Sequence, residues 1–547
     1  KSTDNAGNVE TIIDQGPLFY IAAPAQSFMI TVSADPMTAG NDISLTVEAK
    51  DALSGAGNRA AAYNGTVNFY ADAVPGGPEV MDNDDNVDDN YGLPKQYTFT
   101  STDRGIHTFT MRPRKAGSRM FRAEDRDNPA IFGSRNVTVT PTSAYQVQVI
   151  ADYPSGQQPS PGRMESGVEG STGTPRTLTA GTAVPFLLQV TDRYWNLVSS
   201  AAHVFVTDTD PNNTAVADAY SDFVGSTTIT RTFVSADPSG WNVSAFGQGL
   251  YTNARNPSTN VPIISQNADR LLALLPGETR VQGKYLSQPY GKSGAPSDWL
   301  AGSTAAVIVY GVDPYYNTDP TAAFSVAGYI DTDPYDITPS SRSLVSGATT
   351  FVFTPIVAAT QTIKVQAASL PPATSVYYTP NPVNVWWSAP VKLHLIAAGQ
   401  QLKPGLSPYT SNPSGGGKTG VLAELMAGVT TQMTVYLTDD YYNVVKGTTP
   451  FLAVSSNNPV VQIDFPNDPN IQLRGMHPNP YQRGLFSGTT TFNVIPITRN
   501  QASGLTVRVT DTGLSNATTY STDTVTGIKV NPAAASTLLL LVPTETA

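Results

Sequence analysis

The sequence predicts an all-β protein, a tandem array of about four β-sandwich domains. Three observations carry the prediction. First, Ala-Gly occurs four times with an Asp eleven residues after the Gly: Gly40–Asp51, Gly181–Asp192, Gly302–Asp313 and Gly428–Asp439. An alternating apolar run fills each interval, ISLTVEA, AVPFLLQV, AAVIVYG and QMTVYL, and the copies stand 141, 121 and 126 residues apart. A fixed offset repeated at that period marks tandem duplication of one small domain. Second, the chain is a succession of short alternating runs separated by turn residues, with no long helical periodicity. Third, charged residues are 14%, against roughly 25% in ordinary globular chains, while Gly (44), Pro (43), Tyr (25) and Phe (19) are plentiful. That is the composition of a turn-rich β protein. With 40% hydrophobic residues it is not a disordered one.

Composition also removes several functions. There is no Cys, so disulfides, thiolate metal sites and Cys nucleophiles are excluded. A net charge of −11 argues against nucleic acid, which needs a basic face. No run reaches eighteen apolar residues, so no membrane insertion by a helix is expected. Absence of Cys in an array of turn-rich sandwiches suggests an extracellular protein of a prokaryote.

Each copy starts with an apolar strand: FMITVS (28–33), YQVQVI (145–150), RLLALL (270–275) and KLHLIA (392–397). In the first copy a short connection, ADPMTAG, leads to the Ala-Gly. The other three insert about 25 residues rich in Pro, Gly, Ser and Tyr, such as PSGQQPSPGRMESGVEGSTG. Insertions at one place are expected to decorate the same face of each module. After the Asp comes a turn: Asp192-Arg-Tyr194-Trp195-Asn196, Asp313-Pro-Tyr315-Tyr316-Asn317 and Asp439-Asp-Tyr441-Tyr442-Asn443. Asp accepts backbone N–H groups, and Asn is expected to take the left-handed conformation that closes the turn. Of the paired aromatics, one ring is expected to cap the core and the other to meet the next module. The first copy has the longer turn Asp51–Asn58. SGATTFVFTP (346–355), SGTTTFNVIP (487–496) and GSTTITRTFV (225–234) are later strands opened by Gly turns. This density gives about seven strands per module.

In the first copy the residues read Tyr63-x-Gly65-x-Val67-x-Phe69, Leu93-Pro94-x-x-Tyr97-x-Phe99, Asp103-x-Gly105-x-His107-x-Phe109 and Ala116-Gly117. This resembles the bacterial immunoglobulin-like (Big-type) tandem repeats of large cell-surface and adhesin proteins. The resemblance is specific in the first copy and looser in the others. It implies immunoglobulin-like β-sandwich domains, with an extracellular role in adhesion, stalks or surface layers and no catalytic residues. The expected organisation is 1–16, the tail of a preceding module or a linker; modules at 17–140, 141–266, 267–388 and 389–533; and 534–547, the first strand of a further module or a donor strand. The last assignment rests on TLLLLV (537–542), which aligns with the first strands. TDNAGNVET (3–11) resembles the closing strand of a sandwich. Both ends thus read as sections of a longer array. Short linkers (VTVTPTSA, PIISQNAD, NVWWSAP, KVNPAAAS) favour a semi-rigid rod, with Trp386 and Trp387 buried against the neighbouring module.

One segment has metal-site character. Asp82, Asp84, Asp85 and Asp88 are candidate Ca²⁺ ligands, with Asn86 between them, because five carboxylates within eight residues need solvation or a cation. The EF-hand pattern is not met: Val87 stands at the sixth position and Leu93 at the twelfth. A solvated loop is the other reading. The module turns, such as Asp192 and Asn196, are further candidate Ca²⁺ ligands. Gly415-Gly-Gly-Lys418-Thr419 resembles the end of a phosphate loop but lacks strand–helix context, so it reads as a surface loop, and VLAELM (421–426) as one helical turn. The four His residues share no metal spacing, and His107 reads as a packed, hydrogen-bonded strand residue. Lys is scarce and no Lys recurs in register, so an intramolecular Lys–Asn isopeptide is not expected.

No enzyme is predicted, and no cofactor beyond that Ca²⁺. The expected function is an extracellular structural or adhesive protein, part of a surface fibre, stalk or surface layer. Its expected partners are itself, as homo-oligomer or polymer, and a surface glycan or a host or cell-surface protein. The alternatives are a glycan-binding adhesin array using Tyr285, Tyr290 and Tyr409, and an accessory region of a larger secreted hydrolase.

Overall fold

A computed structural model describes the chain except residues 1–22, 72–92, 164–168, 214–217, 248–256, 338–340, 380, 411–414, 452–458, 469, 474–480, 515–518 and 541–547. The candidate ligands Asp82, Asp84, Asp85 and Asp88 and the segment 3–11 lie outside the described residues. Strands dominate, and the one helical element among the described residues is a single 3-10 turn, Leu53–Gly55. The chain forms two compact units, 1–264 and 265–547, each holding two immunoglobulin-like sandwiches.

The first sandwich shows the plan. A three-stranded sheet of Ser27–Val32, Ile43–Lys50 and Ile106–Met111 faces a five-stranded sheet ordered Met37–Thr38, Phe132–Thr140, Gly117–Asp125, Thr66–Ala71, Gln96–Thr98. Phe28, Leu45, Phe69, Phe99, Phe109 and Phe121 from both sheets fill the core. The repeat plan then recurs. The three predicted strands Gln146–Ala151, Arg270–Leu274 and Lys392–Ile396 each pair antiparallel with the strand after their own Ala-Gly. The predicted later strands appear as Ser226–Thr232, Ala348–Phe353 and Thr489–Ile495 on the other side of it.

The Ala-Gly dipeptide marks where the chain changes sheets. A two-residue strand before each Gly runs parallel to the closing strand of the same sandwich: Met37 opposite Val139, Leu178 opposite Ile263, Trp299 opposite Val385, Leu425 opposite Val530. The Ala N–H completes that ladder at 2.8–2.9 Å, and the Gly N–H turns to the opposite sheet, to the carbonyls of Pro113, Phe233, Pro355 and Pro496. Gly is required because φ at the four positions is +76° to +83°, a region that side chains with a Cβ adopt at a cost. Residues 421–426 are not helical. Leu425–Met426 is the parallel strand of the fourth sandwich, because its backbone groups are taken by the closing strand.

The three insertions all fold alike. Each makes a hairpin, Gln158–Pro159 with Ser171–Thr172, Glu278–Arg280 with Lys292–Gly294, and Gln400–Leu402 with Lys418–Gly420. They share a face, as expected, but lie back over their own first strand instead of projecting. That is why Gln146–Ala151 and Lys392–Ile396 are buried on both faces, whereas the uncovered strand of the first sandwich leaves Met29 exposed.

Candidate functional site: the joint between modules

The repeated turn is where modules meet. In the first unit the Asp192 carboxylate accepts four N–H groups: Tyr194 N (2.8 Å) and Asn196 N (2.9 Å) on Oδ1, and Asn196 Nδ2 (2.9 Å) and linker Thr142 N (3.0 Å) on Oδ2. Asn196 then reaches the preceding sandwich. Its Nδ2 donates to the Arg114 carbonyl and its Oδ1 accepts the Ala116 N–H, both at 2.7 Å. The second unit repeats the arrangement. Asp439 accepts Tyr441 N and Asn443 N at 2.9 Å, and Asn443 Nδ2 and linker Ser388 N at 3.0 Å. Asn443 bridges the Ile356 carbonyl and the Ala358 N–H, both at 2.8 Å. Around Asp313 the same intramodular set forms with Tyr315, Asn317 and linker Gln266.

The Gly of Ala-Gly is the other half of the joint. A Cβ on Gly40 would overlap the ring of Tyr194, and one on Gly302 would overlap Tyr441. The first aromatic of the turn therefore packs on the preceding module, not the following one. The second aromatic, and not the Asn, takes the left-handed conformation: φ is +64° at Trp195 and +65° at Tyr316 and Tyr442. That conformation is held because the ring drops onto the module's own hairpin, where Gly170, Gly291 and Gly417 leave it room. The hairpin also closes on the turn, with Gly162 N donating to the Tyr194 carbonyl and Gly405 N to the Tyr441 carbonyl at 2.8 Å. In the second unit Gly405 in turn packs against Tyr335 and Val357 of the preceding sandwich. Trp386 and Trp387, half-buried, clasp the linker from both sides. Trp386 Nε1 donates to Asp298 of the third sandwich (2.9 Å), and Trp387 packs on the core of the fourth.

Polar side chains pin each hairpin to the strand beneath it. In the second sandwich Gln148 Nε2 donates to the Gly170 carbonyl at 2.7 Å. In the third, Lys292 is fully buried and donates to the Ala273 carbonyl (3.0 Å) and to Glu278 (2.7 Å). Burial pushes its ammonium pKa down, while Glu278 holds it up. In the fourth, Lys392 donates to the carbonyls of Tyr409 and Asp440 at 2.8 Å, and Lys418 donates to the Leu395 carbonyl and to Asp523. Burial alone would raise the Asp523 carboxyl, but His394, Lys418 and the Leu395 N–H outweigh it and bring it down to about 2. Lys418 belongs to the Gly415–Thr419 segment. Gly416 and Gly417 there form a turn buried against the hairpin and Tyr442 that leads into the strand Lys418–Gly420, while Gly415 and Thr419 are exposed, so the middle of the segment is packed and not a surface loop.

The sites expected from sequence separate accordingly. The oxygens of Asp192 and Asp439 are filled by N–H donors, so the joint is a hydrogen-bonded hub and not a Ca²⁺ cage. Burial pushes the Asp313 and Asp439 carboxyls up against the hydrogen bonds that pull them down. Among the described residues no group of three or more His, Asp or Glu side chains is arranged to hold a metal. The loop tyrosines do not form a platform: Tyr285 meets Tyr315 edge-on at 4.9 Å, Tyr409 meets Tyr441 edge-on at 5.1 Å, and only Tyr290 stacks, on Tyr316 at 5.7 Å. They brace the turn. His107 is packed on Tyr97 and hydrogen-bonded to it and to Asp103.

No protein-family model matches the chain, and no curated protein matches it. It has structural matches among bacterial adhesins with immunoglobulin-like domains. One is the Escherichia coli adhesin FdeC, 13% identical over 68% of this chain and 100% of that one, with a TM-score of 0.23. Another is invasin, described as a bacterial integrin-binding protein, 12% identical over 92% of this chain and 79% of that one, TM-score 0.24. The D0–D1 domain of intimin is 16% identical over 43% of this chain and 97% of that one, TM-score 0.16. Scores this low carry no argument about binding or assembly. The fold itself is read from the sandwiches: all-β and immunoglobulin-like, in tandem.

Proposed function

We propose that this chain is an extracellular structural and adhesive protein of a prokaryotic surface, part of a fibre, stalk or surface layer that associates with itself. Modules at 17–140, 141–266, 267–388 and 389–533 are its units. The observation that carries this reading is the joint: the Asp–Asn hub, the aromatic on the preceding Gly and the clasping hairpin occur at the Asn196 and Asn443 junctions with the same bonds. Buried and hydrogen-bonded throughout, such a joint fixes the orientation of one module on the next, which an array needs to transmit force or to hold a binding surface away from the cell. Repeated chemistry is invested in joints, and none of it marks a catalytic cleft. Electron microscopy of native surface material tests the reading. Regular fibres or layers labelled by an antibody to this chain are expected. A dispersed monomer at every concentration in sedimentation velocity, with no label at the cell surface, would overturn it.

A further inference from the structure

The fourth sandwich presents the half-joint that the first and third sandwiches use. In each of the three, the Gly of Ala-Gly donates to a Pro carbonyl: Gly40 to Pro113 at 2.6 Å, and Gly302 to Pro355 and Gly428 to Pro496 at 2.7 Å. Counting from that Pro locates the two groups that the Asn of the next module bridges. They are the carbonyl one residue on and the N–H three residues on: Arg114 and Ala116 for Asn196, Ile356 and Ala358 for Asn443. The same count in the fourth sandwich gives the Ile497 carbonyl and the Arg499 N–H.

There these groups lie at the surface. A Cβ on Gly428 would meet no atom of the described residues within 4 Å, whereas Gly40 and Gly302 lie under the rings of Tyr194 and Tyr441. Ile497 is 40% exposed, against 2% for Ile356. Arg499 is exposed, and no carbonyl of the described residues accepts its N–H. Met426 and Val429, flanking Gly428, are each 51% exposed, so apolar surface surrounds the polar pair. One buried group is also left unsatisfied. In the third sandwich Asp333 Oδ2 accepts the N–H groups of Ile356 and Val357, at 2.7 and 2.8 Å. Its counterpart in the fourth is Asp468, which is 1% exposed. Asp468 Oδ1 accepts Thr498 Oγ1 and Asn470 N, but Oδ2 has no hydrogen-bond partner among the described residues. A buried carboxylate oxygen without a donor is costly, and drawing in the Ile497 and Thr498 amides, as in the third sandwich, would satisfy it.

We propose that this face is a socket for a further immunoglobulin-like module, held in series through residues 532–536 and carrying an Asp-x-aromatic-aromatic-Asn turn. The inference rests on the surface-array reading above and names the docking surface and partner that reading leaves open. The chemistry of the occupant follows from the two joints already described. Its Asn amide bridges Ile497 and Arg499, and its first aromatic ring covers Gly428. Its Asp takes an N–H from the linker, as Asp192 does from Thr142 and Asp439 from Ser388. Those residues stand two places after the closing strands that end at Thr140 and Trp386, and Ala533 stands in the same place after Asn531. The apolar run that follows, Leu538–Leu540, is 74–103% exposed, and the module would bury it as its first strand. The first sandwich of a second copy does not fit, because its turn, Asp51–Asn58, has no aromatic residue.

The test is a chain of residues 1–532 followed by a second copy of residues 142–264, compared with the full chain by hydrogen exchange at the Arg499 amide. Both copies of the Ala183–Thr191 strand are expected to show a single protected population, which reports that the added module is folded. Exchange at Arg499 is expected to slow about tenfold or more in the extended chain, and Asn196→Ala in the added copy is expected to abolish the slowing. Unchanged exchange at Arg499, slowing that survives Asn196→Ala, or an unprotected second population at Ala183–Thr191 overturns the proposal, since a module seated in the socket is held folded and bonded. Protection of Arg499 in the full chain alone that rises with concentration, together with dimers in sedimentation velocity, assigns the face to a second copy and also overturns it. None of these failures touches the surface-array reading, which is judged by microscopy and surface labelling.

Discussion

Asn443 spans a module boundary with one amide. Its Nδ2 and Oδ1 satisfy a carbonyl and an N–H of the preceding sandwich, at Ile356 and Ala358, while its own backbone N–H is held by Asp439. Asn443→Ala strands both backbone groups in a buried junction, at a cost of about 1–3 kcal/mol. Hydrogen exchange at the Ala358 amide should accelerate strongly, with amides inside either core little changed; protection unchanged at Ala358 would show that the bridge holds nothing. Asn443→Asp should not rescue, since a carboxylate accepts from Ala358 but repels the Ile356 carbonyl and lies beside Asp439. The sequence shows that an Asn ends the turn in three copies, and its frequency at left-handed positions suggests a purely local role. The structure gives that conformation to the aromatic before it. Spacing cannot reveal this, because the partners of Asn196 and Asn443, 80 to 87 residues away, carry no side-chain signature: they are backbone groups.

The hairpin is the element on which local sequence reading fails most. Pro, Gly, Ser and Tyr suggest exposed loops free for lateral contacts. Yet Gly291 and Gly417 are there to let a ring approach, and Lys292 is there to be buried. The signal was present in the first strands, where Gln148 and His394 occupy the face expected to meet water; burial of that face follows only once the hairpin is folded over it. Lys292 and Glu278 are both fully buried, so breaking the pair should cost far more than replacing it. Lys292→Met leaves the Glu278 charge without its cation and is expected to destabilise the third sandwich by about 3–5 kcal/mol. Lys292→Met/Glu278→Gln removes the charge while keeping an acceptor for the Leu275 N–H, and should recover more than half of the loss. Protection of the Ala305–Val312 amides against hydrogen exchange reads both values. A double variant as unstable as the single one would mean that the pair contributes by packing and not by charge.

At the scale of the whole chain, the repeat that announced four modules is itself the joint. Ala-Gly and Asp-x-aromatic-aromatic-Asn recur together because the Gly of one module receives the ring of the next, as Gly40 does with Tyr194 and Gly302 with Tyr441. The eleven-residue offset is only the length of the strand between them. Module number and the first and later strands of each copy were legible because alternation and duplication are written in side chains; the chemistry of the joint was not, and Ca²⁺ was a natural reading of an Asp and an Asn in every turn. The geometry argues otherwise. Ca²⁺ takes six to eight oxygen ligands, whereas each oxygen of Asp192 and Asp439 already accepts two N–H groups, and the Asn oxygens accept Ala116 and Ala358. A cation entering there would have to displace four donors and would face their positive ends. Removing Ca²⁺ with EDTA should therefore leave hydrogen exchange at Ala116 and Ala358 unchanged, as well as the melting temperature of the joints' two flanking cores. If EDTA does change the protein, the four-site variant Asp82→Asn, Asp84→Asn, Asp85→Asn, Asp88→Asn separates the sources: a response abolished by it assigns Ca²⁺ to that acidic segment, and faster exchange at Ala116 or Ala358 that persists in it would put the ion in the joint and refute the hydrogen-bonded hub.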